Sequence, residues 1–258
     1  MTESAFDAFT TDDGVEIAFQ HWKGDDDLPT LVLHHGFTGD TTRDWVDTGV
    51  VGILHGAGRT VVAPDARGHG HSGKPHREDA YGEPRMARDL SGLIDATGVP
   101  EIDLVGFSMG AVVSLIAATQ EKRIRRLVTV GVGAAVVERG GVDSASLRRD
   151  VLADALIAED PGPLDPRAQA FLDGLEGRDV DRVALSLVAR SAHMSHIPLD
   201  RISAPTLVIA GDTDPFAQRP EVLSAAIPGA RLLVVSGDHG GSVTNRQFTA
   251  NVLEFLGS

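Results

Sequence analysis

The stretch Ile102-Asp103-Leu104-Val105-Gly106-Phe107-Ser108-Met109-Gly110-Ala111-Val112-Val113 decides how the chain is read. It runs as a short apolar strand, a serine between two glycines, and the opening of an apolar helix. A strand that turns sharply into a helix forces its middle residue into a strained backbone conformation, and a Cβ two residues to either side would clash. Gly106 and Gly110 remove those clashes. The turn lifts the Ser108 hydroxyl above the sheet edge and sets the Met109 amide at a helix N-terminus, where unpaired N–H groups favour negative charge. A nucleophile and half of an oxyanion hole follow. The competing reading is a small-residue loop that merely lets a helix pack closely on a strand, so the rest of the chain must decide.

In its strand-turn-helix context, Gly106-Phe107-Ser108-Met109-Gly110 resembles the nucleophile elbow of the α/β-hydrolase family. Leu31-Val32-Leu33-His34-His35-Gly36-Phe37-Thr38-Gly39 is similar to the family's first buried strand and its His-Gly-x turn, which implies that the Phe37 amide completes the oxyanion hole. Val61-Val62-Ala63-Pro64-Asp65-Ala66-Arg67-Gly68-His69-Gly70-His71-Ser72 is similar to its Asp-x-Arg-Gly-x-Gly-x-Ser turn. Ala111 departs from the pattern, since many relatives carry a second glycine there. Two later apolar runs end in Gly211-Asp212-Thr213-Asp214-Pro215 and Ser236-Gly237-Asp238-His239-Gly240-Gly241. The order serine, acid, histidine is the family's, and each residue lies just past a strand, so the three can converge on one sheet edge. The resemblance implies Ser108 as nucleophile, His239 as base and Asp214 as acid, because the family's acid stands in Gly-x-x-Asp. Asp212 competes for that role but is better placed to accept amides inside its own turn.

The fold expected is α/β: a mostly parallel, eight-stranded sheet with helices on both faces and a small helical cap insertion. The chain opens with a hairpin signal, Asp12-Asp13-Gly14 between Phe6 to Thr10 and Val15 to Trp22. Strands are expected at Thr30 to His34, Thr60 to Pro64, Glu101 to Phe107 and Arg126 to Gly131, alternating with helical patterns. One helix carries Trp45, Val50, Ile53 and Leu54; another starts near Pro84 and carries Met86, Leu90, Leu93 and Ile94. Between about 135 and 200 the β runs stop. Three amphipathic stretches replace them: Leu147, Val151 and Leu152; Ala168, Phe171, Leu172 and Leu175; Val180, Val183 and Leu187. An insertion after a strand's carboxyl end is placed to roof a pocket. Residues 1–134 and 201–258 are therefore read as core and 135–200 as cap, with Phe37, Met109 and Met194 as pocket walls.

Composition bounds the partners. With 258 residues, 42% of them hydrophobic, the chain can bury one large core, while a formal charge of -14 repels nucleic acid and anionic lipid. The absence of cysteine removes disulfides, thiolate metal sites and a cysteine nucleophile. Met1 to Asp7 show no basic and apolar leader pattern, and no apolar run reaches a membrane span, so a cytoplasmic protein bound to neither membrane nor nucleic acid is expected. Gly24-Asp25-Asp26-Asp27 lacks the ligand spacing of a calcium loop. Gly68-His69-Gly70-His71-Ser72-Gly73 spells a dinucleotide fingerprint, but Lys74-Pro75-His76 continues as loop where a helix must open. His34, His35, His69 and His71 lack the partners of a metallohydrolase, so no metal and no cofactor is expected.

The function expected is a serine hydrolase, carboxylesterase-like, acting on a small-molecule ester or related acyl compound through an acyl-enzyme. A lactonase, a carbon-carbon bond hydrolase and a cofactor-free perhydrolase share that triad. A ligand receptor that keeps the triad and a dinucleotide-dependent oxidoreductase are the rivals from other classes.

Overall fold

The computed structural model describes residues 6–142, 148–164, 166–192 and 196–257. The hairpin forms as the Asp-Gly signal requires: β1 (Phe6–Thr10) pairs antiparallel with β2 (Glu16–Trp22), and Gly14 turns the chain at φ 81°. Six further strands follow: β3 (Thr30–His34), β4 (Val61–Pro64), β5 (Ile102–Phe107), β6 (Ile124–Val130), β7 (Thr206–Gly211) and β8 (Arg231–Val235). They form one eight-stranded sheet in the order β1-β2-β4-β3-β5-β6-β7-β8, parallel from β4 to β8. The chain leaves β3 towards β4 on one side and returns past it to β5 on the other. Ligands in open α/β sheets bind outside the strands' carboxyl ends at such a reversal, and the loops after β3 and β5 begin with His35 and Ser108.

Helices cover both faces, which is why β3, β4 and β7 are apolar without alternation. On one face α2 (Glu83–Thr97) and α3 (Met109–Ala118) bury Met86, Leu90, Leu93, Val112 and Leu115. On the other, α1 (Val50–Gly56) and the C-terminal helix pack Leu54, Phe248 and Val252 around Trp45. The single helix expected through Trp45 and Leu54 is instead two pieces. A π turn over Thr42–Val46 buries Trp45, Gly49 at φ 79° breaks the run, and α1 leaves Ile53 53% exposed. Asp103, in an otherwise apolar strand, is fully buried because Arg59 and Arg125 both bond its carboxylate.

Between β6 and β7 lie α4 (Ala134–Arg139), α5 (Arg149–Ile157), α6 (Pro166–Asp173) and α7 (Arg182–Ser191). Leu152, Leu156, Ala168, Leu172, Leu175 and Leu185 form a small core of their own, which touches the rest of the molecule through Phe37 and Phe216. On α7 the buried face is turned from the one read off Val180, Val183 and Leu187: Ala184, Leu185 and Val188 point inward and Val183 is 42% exposed. Leu147 and Met194 lie outside the described residues. Three helices complete the chain: α8 (Pro220–Ala226), α9 (Gly241–Thr244) and α10 (Arg246–Gly257). Among the described residues no helix is long and apolar enough to cross a membrane.

Candidate active site

Ser108 stands between β5 and α3 at φ 53° and ψ -115°, a left-handed conformation that costs a non-glycine residue about 1–3 kcal/mol. The flanking glycines make the turn possible. A Cβ on Gly106 would land on the Gly110 carbonyl, and one on Gly110 would land on the carbonyls of His34 and His35. The Ser108 amide donates to the Val130 carbonyl (2.8 Å), which fastens the elbow to β6.

The structure brings Ser108, His239 and Asp214 into one hydrogen-bonded chain. His239 Nε2 lies 2.9 Å from Ser108 Oγ, and its Nδ1 lies 2.8 Å from Asp214 Oδ2. A carboxylate can only accept, so the ring proton sits on Nδ1 and leaves Nε2 free to accept from the serine hydroxyl. Asp214 is 5% exposed, and its second oxygen accepts the Phe216 amide (2.8 Å). Asp212 lies elsewhere: exposed, it accepts the Gly237 amide (2.9 Å) and so ties the β7 turn to the β8 turn.

Packing fixes the imidazole. Phe107 and Phe216 stand 4.8 and 4.9 Å from its centroid. Gly131, at φ 74°, makes room for it, since a Cβ there would come within 2.9 Å of His239 Cε1. Neither Phe216 nor Gly131 was singled out in the sequence. The signals were there: Phe216 lies two residues past the acid, and Gly131 ends a strand whose neighbours carry the acid and the serine.

Met109 follows Ser108 at the start of α3, and Phe37 follows Gly36 in the loop after β3. Among the described residues neither donates to a backbone carbonyl outside its own element. Gly36 abuts the serine, with its ideal Cβ position 3.3 Å from Ser108 Cβ. A cavity of about 80 Å³ opens on Ser108 and His239, walled by Phe37, Met109, Leu152, Phe171, Val188 and Phe216. Its lining includes two charged side chains, Glu83 and Arg149.

The other histidines serve the loops beneath. His35 Nδ1 donates to the Gly36 carbonyl (2.8 Å), while its Nε2 accepts the Ala66 amide (2.8 Å). His69 Nδ1 donates to the Arg67 carbonyl (3.0 Å). Burial lowers both His34 and His69 to a pKa of about 3, so both are neutral. The Asp-x-Arg turn is held just as tightly. Asp65 accepts the Thr41 (2.8 Å) and His71 (2.7 Å) amides, and fully buried Arg67 bonds Asp89, Asp13 and the Ala80 carbonyl. The glycines of this turn carry a structural load, and no helix opens on them.

Comparison with known proteins agrees with this architecture. The sequence profile of the alpha/beta hydrolase fold matches residues 29–162. The human serine hydrolase BPHL is 29% identical over 194 aligned positions, covering 70% of this chain and 63% of that protein, so the chain spans less than two thirds of that relative. A non-heme chloroperoxidase of Streptomyces lividans is 28% identical over 269 aligned positions, covering 90% of this chain and 92% of that one. Among solved structures, a hydrolase from Pseudomonas aeruginosa PA01 superposes with a TM-score of 0.80 at 28% identity, over 98% of both chains. By its elbow, its sheet order and these likenesses, the chain belongs to the α/β-hydrolase family.

Proposed function

We propose that the protein is a serine hydrolase that cleaves a carboxylic ester or related acyl compound, with Ser108 as nucleophile, His239 as general base and Asp214 as the acid that holds the imidazole. The observation that carries this reading is the chain of two hydrogen bonds, 2.9 and 2.8 Å, from Ser108 through His239 to Asp214 at the mouth of an apolar cavity. As Oγ bonds to the acyl carbon its proton passes to Nε2, and the carbonyl oxygen takes the electron pair. The Phe37 and Met109 amides stabilise that oxyanion. Collapse breaks the ester C–O bond, and the alcohol leaves with the proton from Nε2. Water then attacks the acyl-enzyme with His239 again as base.

The apolar walls support a substrate whose group beside the carbonyl is alkyl or aryl. Residues 135–200 are proposed to act as a cap over this cavity, since Phe171, Leu152 and Val188 reach its wall from α6, α5 and α7. A panel of chromogenic esters, with intact-mass detection of a fluorophosphonate adduct, tests the reading. Turnover and a single adduct are expected in the wild type, and Ser108→Ala should lose both, with kcat down on the order of 10⁶. An alanine variant that keeps a tenth of the activity refutes the nucleophile. Labelling without turnover would indicate a ligand receptor.

The likeness to a non-heme chloroperoxidase across nearly both whole chains favours one second reading. Hydrogen peroxide replacing water at the acyl-enzyme releases a peroxy acid. Oxidation of a halide by mixtures of acetate and peroxide, lost in Ser108→Ala, would identify it.

A further inference from the structure

The loop that carries the Phe37 amide contains Gly36, whose freedom of rotation lets the Gly36–Phe37 peptide turn over. Turned over, it would present a carbonyl to an oxyanion. Two side chains oppose this. The Gly36 carbonyl accepts His35 Nδ1–H (2.8 Å) as well as the Gly39 amide of its own turn (3.1 Å). The preceding peptide is held by its N–H, which donates to Asp44 Oδ2 (2.9 Å). A trans peptide points its C=O and N–H in opposite directions, so tying the Gly36 carbonyl back to the His35 ring turns the Phe37 N–H away from that ring.

The His35 ring is itself committed. It is fully buried, and the Ala66 amide (2.8 Å) can only donate, so Nε2 must accept and the ring proton must lie on Nδ1, facing the Gly36 carbonyl. Asp44 is set by the π turn over Thr42–Val46, which presses its carboxylate so close to Gly39 that a Cβ on that glycine would meet it. We propose that His35 and Asp44 are positioning residues of the oxyanion hole: together they hold the Gly36–Phe37 peptide in the one orientation that presents the Phe37 N–H to the reacting carbonyl. This rests on the serine-hydrolase reading above.

The two amide replacements of His35 separate positioning from mere packing. In His35→Asn the side-chain nitrogen takes the place of Nδ1 and can still donate to the Gly36 carbonyl. In His35→Gln the side-chain oxygen takes the place of Nε2 and accepts the Ala66 amide, and the Gly36 carbonyl loses its side-chain donor. With p-nitrophenyl butyrate, His35→Gln should lower kcat about 10- to 100-fold with KM little changed, short of the 10²–10³ that loss of a whole oxyanion donor costs because the Gly39 bond remains. His35→Asn should stay within about tenfold of the wild type, and a trifluoromethyl ketone, which forms a tetrahedral adduct, should weaken in the same order. Asp44→Ala against Asp44→Asn gives a second pair, in which the asparagine keeps an acceptor for the Gly36 amide and restores kcat. Equal losses within each pair, in variants with wild-type circular dichroism, overturn the proposal while leaving the serine-hydrolase reading intact. Should the His35 variants fail to fold, the Asp44 pair decides by the same criterion. A wild type inert to both ester and fluorophosphonate overturns the reading beneath it.

Discussion

Replacing Asp214 by asparagine removes one charge and adds one donor, and the surroundings decide where that donor points. Asp214 Oδ1 accepts the Phe216 amide at 2.8 Å and Oδ2 accepts His239 Nδ1–H at 2.8 Å. In Asp214→Asn the amide oxygen must stay on the Phe216 N–H, since the NH₂ group there would set donor against donor in a buried site. The NH₂ group then faces Nδ1, which must give up its proton, and the ring carries hydrogen on Nε2 instead. That nitrogen can no longer take the serine proton. Flipping the amide restores the tautomer at the cost of an unsatisfied buried amide, about 1–3 kcal/mol, which limits the tautomer part of the loss to about 10- to 100-fold. The rest comes from removing the carboxylate charge beside the imidazolium formed during attack, and the whole should approach the 10⁴ or so known for this change in a serine protease. That corresponds to about 5.4 kcal/mol of barrier. Asp212→Asn keeps an oxygen for the Gly237 amide and should stay within about 0.5 kcal/mol of the wild type. The assay is kcat on one chromogenic ester, with both variants checked by circular dichroism. Reverse ordering, or an Asp214→Asn enzyme within tenfold of the wild type, refutes the assignment of the acid.

Gly110→Ala should destabilise by about 1–3 kcal/mol, because its methyl group meets the His34 and His35 backbone rather than a side chain that can move; an unchanged urea midpoint would contradict the elbow packing. Phe171→Ala should open the cavity wall on α6 and shift preference towards longer acyl chains by about 1–3 kcal/mol, while Ser108 still reacts with a fluorophosphonate. A folded variant that loses all turnover on every ester would place chemistry in α6. Stability should fall in acid from about pH 6.5, because His34 and His69 stay neutral down to a pKa of about 3 in the fold but protonate near 6.5 once unfolded. Between those values the unfolded chain binds more protons, so stability is complete above pH 6.5 and declines below it by about 1.4 kcal/mol per pH unit for each ring. Urea midpoints that stay flat from pH 7 to pH 5 would show that the rings protonate in place.

What could be read from the sequence was whatever local rules enforce. A serine between glycines after an apolar run has few conformations to choose from, and the Asp-Gly hairpin and the Pro84 helix start are similarly local. Asp214 is preferred to Asp212 as the proposed acid because the family it resembles carries its acid in Gly-x-x-Asp. The failures came where a face is chosen by what packs on it. Ile53 and Val183 match their helical periods, yet they point to solvent because Gly49 and the seating of α7 rotate those helices. Asp103 was passed over in an apolar run, since only the fold brings Arg59 and Arg125 to it from other segments. By sequence His35 is one of four histidines that lack the partners of a metallohydrolase. Its ring is satisfied in the fold, but which atoms satisfy it depends on Ala66, thirty-one residues away.

These buried polar groups answer one problem. A serine at φ 53° and the Gly36–Phe37 peptide beside it are both local arrangements that a free chain would relax. Neither can be held by apolar contacts, which resist compression but do not prescribe the rotation of a peptide. Directional bonds do prescribe it. Asp65 fixes Thr41 and His71, His35 fixes Gly36 and Ala66, and Asp44 fixes Gly36 again, so the loop after β3 and the turn after β4 are clamped to each other. The serine is clamped from the other side through its amide to Val130. Desolvating that many polar groups is tolerable only because nearly all of them are paired, and each pairing restricts the loops in a way that a leucine of the same volume would not.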